Sequence, residues 1–295
     1  MTEVLVQLAV SGLLLGGIYA LISIGLTLIF GVSRVKNFAH GDFVMVGMYL
    51  TYVLNTWTGL DSYIVLFAVT PLMFLFGVAL SRFIIQPIQG APQVAQIFAT
   101  VGVGLVLQNL ALMMFGGDFR TTRSALSTKV FRLGEIALPG GLVIAFTVAM
   151  VVIATIYLFL KKSYLGKAMR AVAQDRRAAA LMCINVKSVD LFTFGLGAAC
   201  AGLTGALLAP LYPVYPTMGI NLVLIAFVVV ILGGLGSVTG ALIGGLAIGL
   251  IETFTGFFVG SEMRQIAYFV VFLLVLLVRP AGLFGQRGSE KMGAA

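Results

Sequence analysis

This 295-residue sequence has little charge: Asp, Glu, Lys and Arg make up 9% of it, and histidine occurs once. A chain that is 60% hydrophobic carries more apolar surface than a water-soluble domain of its length can bury, so it must be dissolved in lipid. A single histidine excludes most membrane-embedded enzymes, which need clusters such as two histidines and a glutamate on one helix face. The two cysteines, Cys183 and Cys200, have neither a disulfide framework nor metal-ligand spacing and read as packing residues. No long polar stretch remains for a nucleotide-binding or soluble catalytic domain. The net charge of +8 does not point to nucleic acid, because the basic residues are divided among short loops instead of lining one face.

What the sequence does have is long charge-free runs. They predict an all-α, polytopic transmembrane bundle of about nine spans near 4–30, 38–56, 62–85, 93–115, 140–160, 189–209, 218–235, 240–259 and 263–279, in a single domain covering 1–295. The first run follows Met1 and Glu3 with no basic leader and no small-residue cleavage site, and reads as a permanent span. An odd count puts the termini on opposite sides. With the loop 161–187 cytoplasmic, Arg34, Lys36, Arg82, that loop's seven basic residues, Arg279, Arg287 and Lys291 all fall inside, and the N-terminus falls outside. Arg120, Arg123, Lys129 and Arg132 in 116–138 then lie outside. Either that loop is an exception to the charge rule, or the count before it is off by one.

Glycine recurs within the spans, where small residues let helices approach closely. The run Leu232-Gly-Gly-Leu-Gly-Ser-Val-Thr-Gly240 is too rich in glycine to be only a helix face and predicts a tight turn or broken helix between two spans. Pro210, Pro213 and Pro216 predict an abrupt external turn.

Few polar groups interrupt the apolar runs. Asn37, His40, Gly41 and Asp42 stand at the start of the second span. A His-x-Asp pair can relay protons or bind metal, but one histidine is one ligand and no nucleophile is near. The preferred reading is that Asn37, His40 and Asp42 cap and hydrogen-bond a broken helix start, which would also make a natural pathway wall. Gln108 and Asn109 bond between helices or line the pathway. Glu252 is either a functional group at depth or an acid facing water near the external interface.

The segment 161–187 sets seven basic residues against Asp175 alone. Asp175 can cap a short surface helix of strong helix formers that ends near Asn185. The positive charge alone would suit anionic lipid. It does not account for the small face Ala178, Ala179 and Ala180, which suits docking into a groove on a protein partner, with Arg176 and Arg177 meeting its acidic groups.

The stretch Gly166-Lys-Ala-Met-Arg-Ala-Val-Ala-Gln-Asp-Arg-Arg-Ala-Ala-Ala-Leu-Met-Cys-Ile-Asn185 resembles the coupling loop of LivH-type permeases for branched-chain amino acids. The resemblance extends to Asn37-Phe-Ala-His-Gly-Asp42, Gln86-Pro-Ile88, Leu107-Gln-Asn109, Leu232-Gly-Gly-Leu-Gly-Ser237 with Gly240, and Arg279-Pro-Ala-Gly282, in order along nearly the whole chain. It implies an inner-membrane permease subunit of an ATP-driven importer for leucine, isoleucine and valine. The implied partners are a LivM-type permease, two ATPase subunits that bind the ATP and its Mg ion, and a periplasmic binding protein. This chain would hold no cofactor and no catalytic residue. Asn37, His40, Gly41, Asp42, Gln108, Asn109 and Glu252 would border the substrate path. Gly166, Arg170, Asp175, Arg176, Arg177, Ala178, Ala179, Ala180 and Asn185 would serve coupling. Cys183 stands where such loops have glycine, so the coupling helix is expected to end differently here. Permeases for urea, short amides and other neutral amino acids share much of the pattern and remain the alternative. An ion-coupled transporter would more often pair acids or a basic counter-ion at the midplane, where only Glu252 is available.

Overall fold

The computed structural model describes residues 1–122, 124–133, 136–279 and 282–284; Arg123, Arg287, Lys291 and the Pro280 and Ala281 of the Arg279–Gly282 motif lie outside them. Helix α1 (Thr2–Leu28) runs into a π-helical turn at Ile29–Ser33 and is followed by α2 (His40–Thr58). Helix α3 (Ser62–Leu80) passes through a second π-helical turn, Ser81–Ile85, into the short α4 (Gln86–Ile88), and α5 (Gln93–Phe115) follows. Strands β1 (Val130–Leu133) and β2 (Ile136–Pro139) form an antiparallel hairpin, with Val130 opposite Pro139. Then come α6 (Gly140–Lys162), α7 (Tyr164–Gln174), α8 (Arg176–Leu181), α9 (Val186–Leu208), α10 (Met218–Gly233), α11 (Val238–Phe258) and α12 (Arg264–Val278).

The chain is thus a polytopic helical bundle, and each of the nine predicted segments holds a helix. Seven helices among the described residues are long and apolar enough to cross a membrane. The other two are α2, which carries His40, Asp42 and Asn55, and α10, which has 16 residues. Both are largely buried within the bundle, where neighbouring helices replace lipid and a full apolar length is not required. The hairpin was not foreseen.

Successive long helices alternate in direction, which gives the bundle two ends. At one end Gln7 Nε2 donates to the Ala137 carbonyl (3.4 Å), Ser124 Oγ donates to Asp61 (2.9 Å), and Arg120 and Val214 exchange backbone hydrogen bonds. At the other, Lys36 Nζ donates to Gln93 (3.3 Å), Gln86 Nε2 to the Lys187 carbonyl (2.9 Å), and the Leu283 N–H to the Leu232 carbonyl (2.8 Å). We call these the hairpin end and the loop end. The 116–138 segment meets the N-terminal part of α1 at the hairpin end, through Gln7 and Ala137. Arg120 is held there by the Phe115 carbonyl at 3.0 Å.

Lipid gives helices no hydrophobic reason to associate, so contact must come from close fit. Helices α1 and α11 meet backbone to backbone: a Cβ added to Gly16 would sit 2.7 Å from the Gly245 carbonyl oxygen. Helix α9 is gripped from two sides, with Gly77 of α3 against Gly195 and Gly47 of α2 against Gly202. Accordingly α1 and α9 are mostly buried, while few residues of α5, α6 and α12 are buried. The glycine-rich run makes the tight turn expected of it. Gly234 (φ 101°) and Gly236 (φ 83°) take left-handed backbone that other residues resist, and Ser237 Oγ caps α11 by accepting from the Gly240 N–H at 3.0 Å. The proline-marked turn also falls where expected, between α9 and α10.

Sidedness can be read with the two native thiols, because Cys183 is exposed at the loop end and Cys200 is buried. In intact cells an impermeant maleimide should label Thr128→Cys in the turn before β1, which is exposed, and should reach Cys183 only after the membrane is opened. Labelling of Cys183 from outside would invert the orientation.

Candidate functional site

The loop-end module 161–187 is built by caps. Ser163 Oγ accepts from the Gly166 N–H (2.9 Å) and starts α7. Gly166 is buried against the Phe159 and Leu160 backbone of α6, where a side chain would not fit. Met169 and Val172 turn inward, whereas Lys167 and Arg170 are exposed. Asp175 then breaks the chain direction, its carboxylate accepting from the N–H groups of Arg177 (2.8 Å) and Ala178 (3.1 Å) to start α8. Those two N–H groups hold the Asp175 carboxyl below the usual range, so the cap persists at neutral pH and is lost only as pH falls into the acid range.

The predicted single helix ending near Asn185 is therefore corrected. Helix α8 stops at Leu181, and Asn185 starts α9 by accepting from the Ser188 N–H at 3.1 Å. Its end is nonetheless the glycine type. Cys183 sits at φ 59°, its N–H bonds the Ala180 carbonyl (3.1 Å), and the Ile184 N–H bonds the Ala179 carbonyl (3.1 Å). That is the paired closure in which glycine is favoured, so Cys183 adopts the geometry and carries its strain.

Two further expectations about this module are corrected. Ala179 is buried against the bundle, so only Ala178 and Ala180 of the three alanines face outward. Arg176 does not face a partner. It turns inward and bonds Asp190, 1% exposed at the start of α9, with Nη1 to Oδ1 at 3.1 Å and a shorter second contact through Nη2. Nη1 also donates to the Val32 carbonyl at the end of α1 (3.0 Å), and Gln89, following α4, donates to Asp190 Oδ2 (3.1 Å). Arg34, at the end of α1, reaches the Ala173 carbonyl of α7 at 3.4 Å. Asp190 thus joins α8, α9, the end of α4 and, through Arg176, the end of α1. Sequence reasoning missed it, although an acid inside a predicted span was a signal. What α8 presents outward is Arg177, Leu181 (85% exposed) and Met182 (77% exposed).

The proposed path residues separate into two groups. Asn37, His40, Gly41, Asp42 and Gln108 come together. His40 Nε2 lies 2.9 Å from the Ile22 carbonyl of α1, Gln108 of α5 donates to Asp42 (2.9 Å), and Gly41 and Gly219 press α2 on α10. Asn37 Oδ1 accepts from the Ala39 N–H (3.2 Å) before the helix, while His40 and Asp42 tie α2 to its neighbours instead of capping it. Asn37, His40 and Asp42 are buried, so in this conformation they face other helices. Asn37 Nδ2 and His40 Nδ1, with the hydroxyls of Ser23, Thr27 and Ser33 on and after α1, have no hydrogen-bond partner among the described residues. Asn109 points away and bonds the Leu105 carbonyl of its own helix (2.7 Å). Glu252 lies apart, toward the hairpin end of α11. Among the described residues no group of three His, Cys, Asp or Glu side chains can hold a metal ion.

The family model described as branched-chain amino acid transport system / permease component matches residues 8–278. The high-affinity branched-chain amino acid transport system permease protein BraD of Pseudomonas aeruginosa is 33% identical, covering 97% of each chain. The permease proteins LivH of Salmonella typhimurium and Escherichia coli K12 are 30% and 29% identical, each covering 96% of both chains. No solved structure matches the chain.

Removing the charge of Asp190 leaves Arg176 partly buried without its partner. Asp190→Asn should cost about 2 kcal/mol, less than a fully buried pair because Arg176 retains solvent contact, and should hasten tryptic cleavage in 161–187. Arg176→Gln in the same chain should restore part of the loss, and thermal unfolding in detergent reads both. Cys183→Gly should relieve the left-handed strain and raise stability by about 1 kcal/mol; a lower unfolding temperature would contradict the described end of α8.

Proposed function

This chain belongs to the branched-chain amino acid transport permease family, and from that membership we propose that it forms one wall of an ATP-driven importer for leucine, isoleucine and valine. It is a multi-pass inner-membrane permease and not an enzyme. The proposal adds the energy source, the substrates and the assembly: a second permease of the LivM type, two ATPases supplying ATP and Mg chemistry, and a periplasmic binding protein delivering substrate to the hairpin end. The relatives BraD and LivH are named for branched-chain amino acid transport, which supports the substrate class.

The observation that carries the reading is the position of α8. It lies at the loop end beyond the long helices, shows Leu181, Met182 and Arg177 outward, and is fixed from behind by Arg176 on Asp190. A short helix with an apolar tip beside a cation suits a groove with an acidic rim. A push on α8 reaches α1 through the Val32 carbonyl, α9 through Asp190 and α4 through Gln89. Helices α1 and α9 pack on α11, α2 and α3 by glycine contacts that leave little slack, so nucleotide-driven closure of the ATPases would move helices and not only a loop. The polar cluster around Asn37, His40, Gly41, Asp42 and Gln108 would then be the gate. Asn37 Nδ2 and His40 Nδ1, buried without partners among the described residues, would become useful once α2 separates from α1 or α10.

A leucine-stimulated ATPase assay on the co-purified assembly tests this. Leu181→Asp should leave insertion normal, abolish co-purification of the ATPases and abolish stimulation. Ala178→Trp, on the exposed face, should act likewise. If both variants assemble and transport at the wild-type rate, α8 is a lipid-facing helix and the importer reading loses its support.

A further inference from the structure

Glu252 and Arg264 line one cavity of about 230 Å³ at the hairpin end, between α1, α11 and the start of α12. Its other walls include Leu8, Leu15 and Phe257. The Glu252 side chain faces the hydroxyl of Tyr19, yet its Oε2 is buried and has no hydrogen-bond partner among the described residues. An orphaned carboxylate oxygen at this depth is costly and should close on the nearest cation. That cation is Arg264, and no ion pair forms between them among the described residues. The reason is positional. The turn after α11 lays the Arg264 guanidinium on the backbone of Gly256, where an added Cβ would collide with it. Gly256 lies one helical turn beyond Glu252, about 6 Å along the axis. Two opposite charges are thus held apart, facing one small space with apolar walls.

We propose that Glu252 and Arg264 bracket the zwitterion of an α-amino acid, Glu252 taking the ammonium group, Arg264 the carboxylate, and Leu8, Leu15 and Phe257 the aliphatic side chain. A planar guanidinium suits a carboxylate, and charge-assisted bonds at both ends reject molecules that lack either group. The volume lies below the roughly 300–1,000 Å³ of clefts for drug-sized ligands, as a single amino acid requires. This site rests on the reading that the chain transports such amino acids, and it places their first contact at the hairpin end of α11, away from the cluster around His40.

Saturation-transfer NMR on the permease assembly in phosphatidylglycerol nanodiscs tests it, with leucine, leucinamide and 4-methylpentanoate as probes. The wild type should bind leucine and discriminate against both analogues. Arg264→Gln should weaken leucine about tenfold and lose the discrimination against leucinamide alone; Glu252→Gln should weaken it about tenfold and lose the discrimination against 4-methylpentanoate alone. A purely structural role would lower all three probes together. That outcome, or wild-type leucine affinity in both variants, overturns the site. So does leucine binding that vanishes when phosphatidylethanolamine is added, which assigns the cavity to that headgroup. Leucine uptake by the same assembly in proteoliposomes separates the two readings. Uptake by the wild type with unaltered binding in the variants sinks the site alone; wild-type binding without uptake sinks the importer; neither binding nor uptake sinks both.

Discussion

A carboxylate that is 1% exposed inside a helical bundle must find a cation, and Asp190 finds Arg176. The cost of burying that charge is offset only while the partner stays in place. The partner is supplied by a segment outside the long helices, so the requirement pins α8 against the ends of α1, α4 and α9. The pair fixes which face of α8 is turned out. With Arg176 drawn inward and Ala179 beneath it, Leu181 and Met182 have nowhere to point but away from the bundle.

The interior extends the constraint. A helix bundle in lipid has no hydrophobic gain from helix contact, so a rigid body needs surfaces that interlock. Glycine provides them where α1 meets α11 and where α9 meets α2 and α3. The two helices anchored by the Arg176–Asp190 group are those with the most buried surroundings. A displacement applied at α8 would therefore reach the helices least able to yield independently, while α5, α6 and α12 bury few of their residues within the bundle.

The helices were legible because each needs a long apolar run, and charge seldom interrupts such runs. Asp175 as a cap, the glycine-rich turn and the proline turn were legible for similarly local reasons. What failed to show in sequence was long-range pairing. Nothing in 161–187 says that Arg176 turns inward to an acid fourteen residues later, or that one alanine of three is covered. Cys183 was expected to change how α8 ends because it replaces glycine, yet backbone hydrogen bonds to Ala179 and Ala180 impose the left-handed turn anyway. The start of α2 read as a capped, broken helix entry that would make a natural pathway wall, whereas close packing at Gly41 and Gly219 joins it to α10. Glu252 could be singled out as an acid at depth, but Arg264 could not, because only the fold of the turn after α11 brings it back over Gly256.

Tied through Arg176 and Asp190, α8 should move as one body with α1 and α9. Native Cys183 is exposed at the end of α8, Cys200 is buried, and Glu3 is exposed at the far end of α1, so spin labels on Cys183 and Glu3→Cys report directly on this. In the full assembly, double electron–electron resonance should give the same distance distribution without nucleotide and with ATP and vanadate. A distribution that shifts or splits on nucleotide binding would show α8 sliding against the helices it is said to carry, and would contradict the account.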